Sequence, residues 1–298
     1  MKAVDELMKQ WVKECECPEA DEVFSHIGSG KKLRSKLILN IAEHSSDSLR
    51  LCAVIELIQA ASLLHDDVID EAKVRRAKPS INALFGDKTA IMMGDILYAK
   101  GLFEATKLSP QVAQIVSNAV CKLSVGEMQD VFLAKNFNAD RGLYERMIYN
   151  KTASLIEASA RCAGILSGKD EEKLAQYGKN LGIAFQIIDD ILDVTASDEV
   201  LGKPAFSDFC EGKTTLPYII LHERLMPTQK QKLRALWLVD LRDPSRAQEA
   251  AWLCEKFTHT GAIEESIKIA REYGKKALNA ASNEALKRIA KEMIEREF

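Results

Sequence analysis

Long segments in which Ala, Leu and Ile are interspersed with Lys and Glu make up most of this chain. These residues favour helices, and prolines fall where a helix could begin or end. The alternation of Val, Thr and Tyr that is typical of strands is nearly absent. The pattern predicts helices near residues 2–15, 32–44, 48–72, 88–107, 110–135, 139–167, 170–196, 213–224, 228–240, 245–258 and 262–296, the last broken near Ser282.

No internal repeat and no Gly/Ser-rich linker divides the sequence. The 298 residues are 47% hydrophobic, which is ample for a buried core. We therefore expect an all-α fold with a single domain over residues 1–298.

Charge and cysteine content narrow the class of protein. The formal net charge of −3 gives no basic field for nucleic acid. No uninterrupted apolar run reaches the roughly 18 residues of a membrane span, and the first residues lack the apolar core of a signal peptide. The seven cysteines are scattered, as is typical of reduced thiols. We expect a cytoplasmic protein with no integral membrane segment.

Two clusters of aspartates end otherwise apolar helical segments. Asp66 and Asp70 lie four residues apart and share a helix face, with Asp67 beside them. Aspartates with the same spacing recur in the sequence GIAFQIIDDILDV, where Gln186 lies one turn before them. The second cluster comprises Asp189, Asp190 and Asp193.

A solvated acidic stripe at a helix end is one explanation of each cluster. However, unpaired carboxylates are costly to bury, and the end of a helix disfavours negative charge. A cation that compensates both clusters explains them better. All-oxygen ligands favour magnesium over calcium, and magnesium usually acts together with substrate phosphates. We therefore expect the two clusters to face one another across a magnesium–phosphate site.

Basic residues recur near these clusters, as binding of a phosphate ester would require. Any one of them alone fits an ordinary surface charge. Together with the aspartates, they indicate an anionic substrate. They are Lys31, Lys32, Arg34, Arg75, Arg76, Lys151, Lys203 and Lys213.

The order DDVID, RR, KTASL, FQIIDDILD, GK and EGKTTLP resembles the trans-isoprenyl diphosphate synthases over about residues 28–220, most closely the long-chain, octaprenyl-type bacterial synthases. A lone DDxxD would also fit class I terpene cyclases, which typically carry a different second metal motif. Because both motifs here are DDxxD, chain elongation is favoured over cyclisation.

The resemblance implies an all-α isoprenoid-synthase bundle around a central cavity, acting as a homodimer with three magnesium ions per active site. It implies that Lys31, Arg34, Gln59 and Arg76 bind isopentenyl diphosphate. By the same resemblance, Asp66, Asp70, Asp189, Asp190 and Lys151 are catalytic, and the metal ligands are Asp66, Asp67, Asp70, Asp189, Asp190 and Asp193. The allylic substrate, with farnesyl diphosphate as the expected primer, would contact Arg75, Lys151, Thr152, Gln186, Lys203 and Lys213.

Small residues below the first cluster bear on product length. Ala61 lies five residues before Asp66, about 7 Å along the helix axis, with Ser62 next to it. Short-chain members of the family tend to carry an aromatic residue there, so this sequence indicates a long product that supplies quinone side chains. Close helix packing is an alternative reason for small residues. Phe132 is a candidate floor of the product tunnel.

Two other functions stay open at this point. A short-chain synthase making farnesyl or geranylgeranyl diphosphate is disfavoured by Ala61. A non-catalytic partner subunit of a prenyl synthase is disfavoured because both aspartate motifs are intact.

Overall fold

The computed structural model describes residues 1–28, 30–76, 78–195 and 206–294. In its first half, helices α1 to α7 are Lys2–Lys13, Pro18–His26, Leu33–Ala42, Ser46–Ile69, Ile81–Phe85, Asp87–Thr106 and Pro110–Leu133. Helices α8 to α16 are Arg141–Ile148, Ser154–Leu166, Glu171–Thr195, Ser207–Cys210, Leu216–Arg224, Pro227–Leu236, Ala247–Thr260, Ala262–Ala280 and Glu284–Ile294. The all-α prediction is confirmed.

The described residues contain one small β-hairpin. Strands β1, Val74–Arg75, and β2, Lys78–Pro79, pair antiparallel just after α4. The hairpin was not predicted, because two-residue strands are too short to show an alternating pattern. It determines where Arg75 lies, as described below.

Contacts between residues divide the chain into two compact units. As far as the structure describes them, unit 1 comprises Met1–Ser124, Ser154–Gly178 and Ala280–Leu286, and unit 2 comprises Val125–Ala153, Lys179–Asn279 and Lys287–Phe298. The single domain over residues 1–298 stays a prediction.

Helix α4 is the centre of unit 1. It packs against α1, α3, α6 and α9, and its side chains from Leu51 to Ile55 are fully buried. Gly101 on α6 allows close approach, because a Cβ there would lie only 3.3 Å from Ile58 on α4. A capping box at Ser45 starts α4 and satisfies its first amides. The helix therefore holds its last turn, with the first aspartate cluster, on a rigid support.

By length and composition alone, α4 would also suit a membrane span. In the structure, 56% of its apolar window is buried inside the protein. That burial is typical of a core helix in a folded domain.

Unit 2 is built around buried aliphatic side chains of α10 and an aromatic cluster. Phe209 and Tyr218 stack with their ring centroids 4.2 Å apart, and Phe257 packs edge-on against Tyr218 at 5.2 Å. Ile187 and Ile191 of α10 are fully buried in the same core. Residues after 225, which carry no motif, therefore help to build the core beneath the second aspartate cluster.

Candidate active site

The first aspartate cluster lies at the end of α4 in unit 1. Asp66 is half-buried and Asp70 is exposed at the C-cap. Asp67, in contrast, is 2% exposed and accepts a 2.6 Å hydrogen bond from Arg75 Nε. Burial raises the pKa of Asp67, and the Arg75 charge opposes that rise. Asp67 and Arg75 therefore form a hydrogen-bonded ion pair.

The turn that presents Arg75 is tied to α4 by side-chain hydrogen bonds. Asn82 Nδ2 donates to the carbonyl oxygens of Asp67 and Ala72, each at 3.1 Å. Ser80 Oγ donates to Ala72 O at 2.6 Å. These bonds fix the segment after the cluster, so that Arg75 returns towards Asp67.

The segment before α3 meets Arg76. Its Nη1 donates to Gly28 O at 3.2 Å, and a Cβ on Gly30 would lie 2.7 Å from Nη2. A side chain at position 30 would displace the Arg76 guanidinium from this place. The structure brings Arg76 to the segment that carries Lys31, which is exposed.

Arg34 and Lys32 have different surroundings on α3. Burial lowers the pKa of Arg34 to about 10, opposed by the charge of Glu56, and its Nε has no hydrogen-bond partner among the described residues. Lys32 is buried and forms an ion pair with Asp5 of α1. Lys32 therefore anchors α1, while the half-buried Arg34 keeps unsatisfied donor capacity at its buried Nε. Gln59, one turn after Glu56 on α4, is half-buried.

In unit 2, the second cluster on α10 also contains both accessible and buried aspartates. Asp189 is half-buried, whereas Asp190 and Asp193 are 3% and 1% exposed. Asp190 accepts hydrogen bonds from Tyr144 Oη at 2.5 Å and Gln186 Nε2 at 2.9 Å. Asp193 Oδ2 accepts the Asp208 amide at 3.2 Å. Burial raises the pKa of Asp190 to about 8, and the charge of Asp208 adds to this.

Six predicted metal ligands therefore separate into two groups. Asp67, Asp190 and Asp193 are buried and bonded to protein groups, and their role as metal ligands stays a prediction. The carboxylates that stay accessible are those of Asp66, Asp70 and Asp189.

Among the described residues, no three His, Cys, Asp or Glu side chains converge as a complete metal site. Magnesium usually keeps waters and substrate phosphates in its shell and needs only one or two carboxylates from the protein. Asp66 and Asp70 in unit 1, and Asp189 in unit 2, are each accessible oxygen donors of the kind that magnesium prefers.

Lys151 and Thr152 lie in a π-helical turn, Tyr149–Ala153, between α8 and α9. The sequence predicted one uninterrupted helix over 139–167, and π-turns are frequent at functional sites. A Cβ on Gly126 would lie 2.2 Å from Lys151 N, so a glycine is needed where α7 crosses this turn.

Two carboxylates of α7 hold the Lys151 ammonium. Its Nζ lies 2.8 Å from Glu127 Oε2 and 2.6 Å from Asp130 Oδ2. Asn150 Nδ2 also donates to Gln129 Oε1 at 3.0 Å. Both carboxylate side chains are largely buried, so the ion pairs are little screened by solvent. The predicted substrate-binding lysine is therefore fixed in place by α7.

A pocket in unit 2 collects four of the predicted substrate contacts, Lys151, Thr152, Gln186 and Lys213. Thr152 Oγ1 donates to Gln186 Oε1 at 2.7 Å, and Lys213 Nζ donates to Glu211 Oε2 at 3.1 Å. Met147 and Ile148 supply an apolar wall. Lys203, predicted to contact the same substrate, lies outside the described residues.

The predicted chain-length residues have different surroundings. Ala61 is fully buried in α4, and Ser62 Oγ donates to Gln59 O at 3.0 Å. Phe132 is 63% exposed, with Lys135 Nζ 4.0 Å from its ring centroid. Phe132 is thus exposed within one chain, and its role as tunnel floor stays a prediction.

Sequence reasoning missed Tyr144, Glu127, Asp130 and Asp208. Tyr144 and Asp208 lie far along the chain from the carboxylates that they contact, so spacing alone does not associate them. The segment from Gly126 to Asp130 could have indicated this contact, because a glycine next to acidic residues on an apolar helix suggests close packing against a cation.

Comparisons with known proteins agree on the family. The profile of the polyprenyl synthetase family matches residues 18–254. The crystal structure of octaprenyl pyrophosphate synthase from Helicobacter pylori superposes with a TM-score of 0.93 at 46% identity, covering 99% of this chain and 98% of that one.

Two curated relatives differ in product class. The octaprenyl diphosphate synthase of Escherichia coli is 39% identical over 215 residues, 70% of this chain and 67% of its own length. A short chain isoprenyl diphosphate synthase of Methanothermobacter thermautotrophicus is 33% identical over 286 residues, 90% of this chain and 87% of its own length.

Proposed function

This chain belongs to the polyprenyl synthetase family, and we propose that it extends a farnesyl diphosphate primer with isopentenyl diphosphate to an octaprenyl-like diphosphate. It is a prenyltransferase of the long-chain trans-polyprenyl diphosphate synthase type. The observation that carries the proposal is the pocket of unit 2, where Lys151 and Lys213 lie with Asp130, Asp190 and Asp208 beside an apolar wall. Such a pocket suits a diphosphate that binds together with a divalent cation and lays its hydrocarbon tail against the wall.

The reaction that we propose breaks the C1–O bond of the allylic diphosphate, with both electrons leaving on the diphosphate. The double bond of isopentenyl diphosphate then forms a new bond to C1, and the proton lost from the adjacent carbon passes to the released diphosphate. No protein base is required. When bound, magnesium supplies electrostatic stabilisation of the departing diphosphate.

The side chains of this chain bind and orient the reactants. Asp66, Asp70 and Asp189 present the accessible carboxylates that fit magnesium. Lys151 and Lys213 bring ammonium groups into the pocket, each paired with carboxylates of the protein with which a departing diphosphate would share it. Lys31, Arg34 and Arg76 supply the cations of the segment that we assign to isopentenyl diphosphate. The apolar wall at Met147 and Ile148 excludes water from the reacting carbon.

We propose that two copies of the chain associate through an exposed apolar stripe on α7. Val125, Met128 and Phe132 recur at helical spacing there, and the last two are each 63% exposed. Large exposed apolar stripes usually mark interaction sites. Light scattering tests this: wild type gives the mass of a dimer, and Met128→Glu gives a smaller mass. A monomeric wild-type protein would contradict the dimer without affecting the assignment to the family.

We propose a cytoplasmic location and a role in supplying quinone side chains. All seven cysteines are unpaired in the described residues, as suits a reducing compartment. Both substrates are strongly anionic, so an aqueous compartment that contains magnesium is required. Cell fractionation tests the location, since an exclusively periplasmic enzyme would contradict it.

Transfer of label tests the activity. The purified chain is incubated with labelled isopentenyl diphosphate and dimethylallyl, geranyl or farnesyl diphosphate, with magnesium or with a chelator. We expect label in the allylic product only when magnesium is present, and most product with farnesyl diphosphate. Absence of product with every primer would contradict the proposal. Equal turnover with magnesium and with the chelator would contradict the requirement for a metal ion.

A further inference from the structure

Four side chains of unit 2 form one continuous chain of hydrogen bonds. Tyr144 Oη donates to Asp190 Oδ2 at 2.5 Å, and Gln186 Nε2 donates to Asp190 Oδ1 at 2.9 Å. At the other end of the amide, Thr152 Oγ1 donates to Gln186 Oε1 at 2.7 Å. The chain begins at a tyrosine that is 1% exposed and ends at a threonine that lines the pocket.

The direction of these bonds follows from the groups involved. Gln186 turns its NH₂ group to Asp190 Oδ1 at 2.9 Å, and this oxygen accepts the bond either as part of a carboxylate or as the carbonyl oxygen of a carboxyl group whose proton is on Oδ2. Its carbonyl oxygen then faces Thr152, and a carbonyl oxygen cannot donate. The Thr152 hydroxyl therefore donates its single proton to Gln186 Oε1. Its oxygen lone pairs are left for the pocket.

Tyr144 completes this arrangement from behind. Both oxygens of the Asp190 carboxylate receive a donor, one from Tyr144 and one from Gln186, so the carboxylate plane cannot rotate without breaking a buried bond. Without the tyrosine hydroxyl, Asp190 is held on one side only. The Gln186 amide, whose orientation depends on Asp190, then loses its fixed direction.

We propose that Tyr144 is a positioning residue for prenyl transfer: acting through Asp190 and Gln186, it holds the Thr152 hydroxyl with its oxygen turned to the pocket. A lone pair aimed at an electron-deficient carbon stabilises the positive charge that develops as the allylic C1–O bond breaks. The inference rests on the proposed function, because it assigns Thr152 a part in that ionisation. Tyr144 itself does not touch the substrate.

The test begins with Tyr144→Phe, which keeps the buried ring and removes the hydroxyl. Two other buried tyrosines provide matched controls. Tyr177 Oη donates to Leu286 O at 2.8 Å in unit 1, so Tyr177→Phe also loses a buried hydrogen bond. The Tyr218 hydroxyl has no hydrogen-bond partner among the described residues, so Tyr218→Phe loses none.

We expect Tyr144→Phe to lower kcat by about 10- to 100-fold while KM for both substrates changes by less than about twofold, because the lost interaction acts mainly in the transition state. Tyr177→Phe and Tyr218→Phe keep the wild-type kcat. Unchanged kcat in Tyr144→Phe would overturn the inference. So would loss of folded Tyr144→Phe protein, which would make Tyr144 a structural residue.

A double-mutant cycle separates positioning through Thr152 from a general disturbance. Thr152→Val removes the hydroxyl at nearly constant shape, and we expect the double variant Tyr144→Phe/Thr152→Val to be no slower than Thr152→Val within about threefold. Multiplying effects would overturn the inference. Gln186→Met cuts the same chain at a half-buried position and gives a second cycle with Thr152→Val, with the same expectation.

Magnesium titration separates this role from metal binding. Tyr144→Phe should reach half its maximal rate at the magnesium concentration found for wild type. A several-fold shift would overturn the inference, because Tyr144 would then act on metal binding beside Asp189. Wild-type turnover distinguishes failure of this inference from failure of the proposed function. An active wild type with an equally active Tyr144→Phe rejects the inference alone, and an inactive wild type rejects the proposed function.

Discussion

Arg75 Nε donates a 2.6 Å hydrogen bond to Asp67 Oδ1, which joins a predicted substrate contact to a predicted metal ligand. The Asp67 carboxylate is 3% exposed and the Arg75 side chain 34% exposed. The pair therefore positions the turn that follows the first aspartate cluster. Asp66 and Asp70, on either side of Asp67 in the sequence, are left to face the solvent side of α4.

Removing the arginine should cost stability. Arg75→Ala leaves the Asp67 carboxylate buried without its counter-charge, and we expect a loss of about 1–2 kcal/mol in the free energy of unfolding. The value is below that of a fully buried pair because Arg75 is partly solvated. Urea denaturation measures it.

Lys73→Ala provides the control for that variant, since it removes an exposed cation from the same turn. It should change the free energy of unfolding by less than about 0.5 kcal/mol. Equal stability of Arg75→Ala and Lys73→Ala would show that the Asp67–Arg75 pair does not support the turn.

Accessible aspartates should matter for turnover rather than for folding. Asp66→Ala and Asp189→Ala remove proposed magnesium ligands, and we expect turnover to fall by more than about 100-fold, as for loss of a major electrostatic contribution. Steady-state assays at saturating magnesium measure this, with circular dichroism to verify folding.

Asp47→Ala is the matched control, because Asp47 is an exposed aspartate at the opposite end of α4. It should keep wild-type turnover. Unchanged turnover in folded Asp66→Ala or Asp189→Ala protein would remove that residue from the proposed machinery.

Product length should respond to bulk at Ala61. This side chain is fully buried on α4, so Ala61→Phe fills space beneath the first cluster, and we expect shorter products. Overpacking of this kind also costs about 1–3 kcal/mol of stability. Chromatography of the dephosphorylated products measures the shift.

Ala60→Phe adds the same volume one residue earlier, about 100° around the helix. It should leave the product distribution unchanged. Shorter products from both variants, or from neither, would contradict a specific role for Ala61 in limiting the chain.

Acid should weaken unit 2 through His222. Burial lowers the pKa of His222 below 6.5, and the charges of Arg234 and Lys230 lower it further. Arg234 Nε donates to His222 Nε2 at 3.3 Å, which requires that nitrogen to be unprotonated. The unfolded chain therefore binds the proton first as the pH falls. The contribution of His222 is present above pH 6.5 and is lost as the pH drops through the folded pKa.

His222→Gln should remove this part of the pH dependence. Denaturation between pH 5 and 8 measures it, and we expect the variant to lose less stability than wild type on acidification. Parallel curves for the two proteins would show that His222 does not titrate differently in the folded and unfolded states.

Helix boundaries were predictable where the sequence contains clear signals for the start or the end of a helix. The break predicted near Ser282 lies between α15 and α16, and the helix predicted over 110–135 is α7. Helix α2 lies outside the predicted helices, although Pro18 stands where a helix could begin and proline is favoured in the first turn. The π-turn at Lys151 was not predictable, because it depends on Gly126 of another helix.

The aspartate spacing identified the two clusters but not the role of each carboxylate. A period of four places Asp66 and Asp70 on one face, which the structure agrees with. The buried Asp67 is bonded to Arg75 across a turn, and the buried Asp190 is bonded to Tyr144 on α8, 46 residues away in the sequence. The spacing of the aspartates contains no information about these partners, so the structure was needed to separate the buried carboxylates from the accessible ones.

The central claim is that this chain makes a long polyprenyl diphosphate. Its most direct test is the size of the end product formed by the purified full-length chain from farnesyl diphosphate, labelled isopentenyl diphosphate and magnesium, measured by mass spectrometry. We expect a ladder of intermediates that ends at an octaprenyl product. A ladder that ends at geranylgeranyl diphosphate, or no extension of farnesyl diphosphate, would contradict the claim.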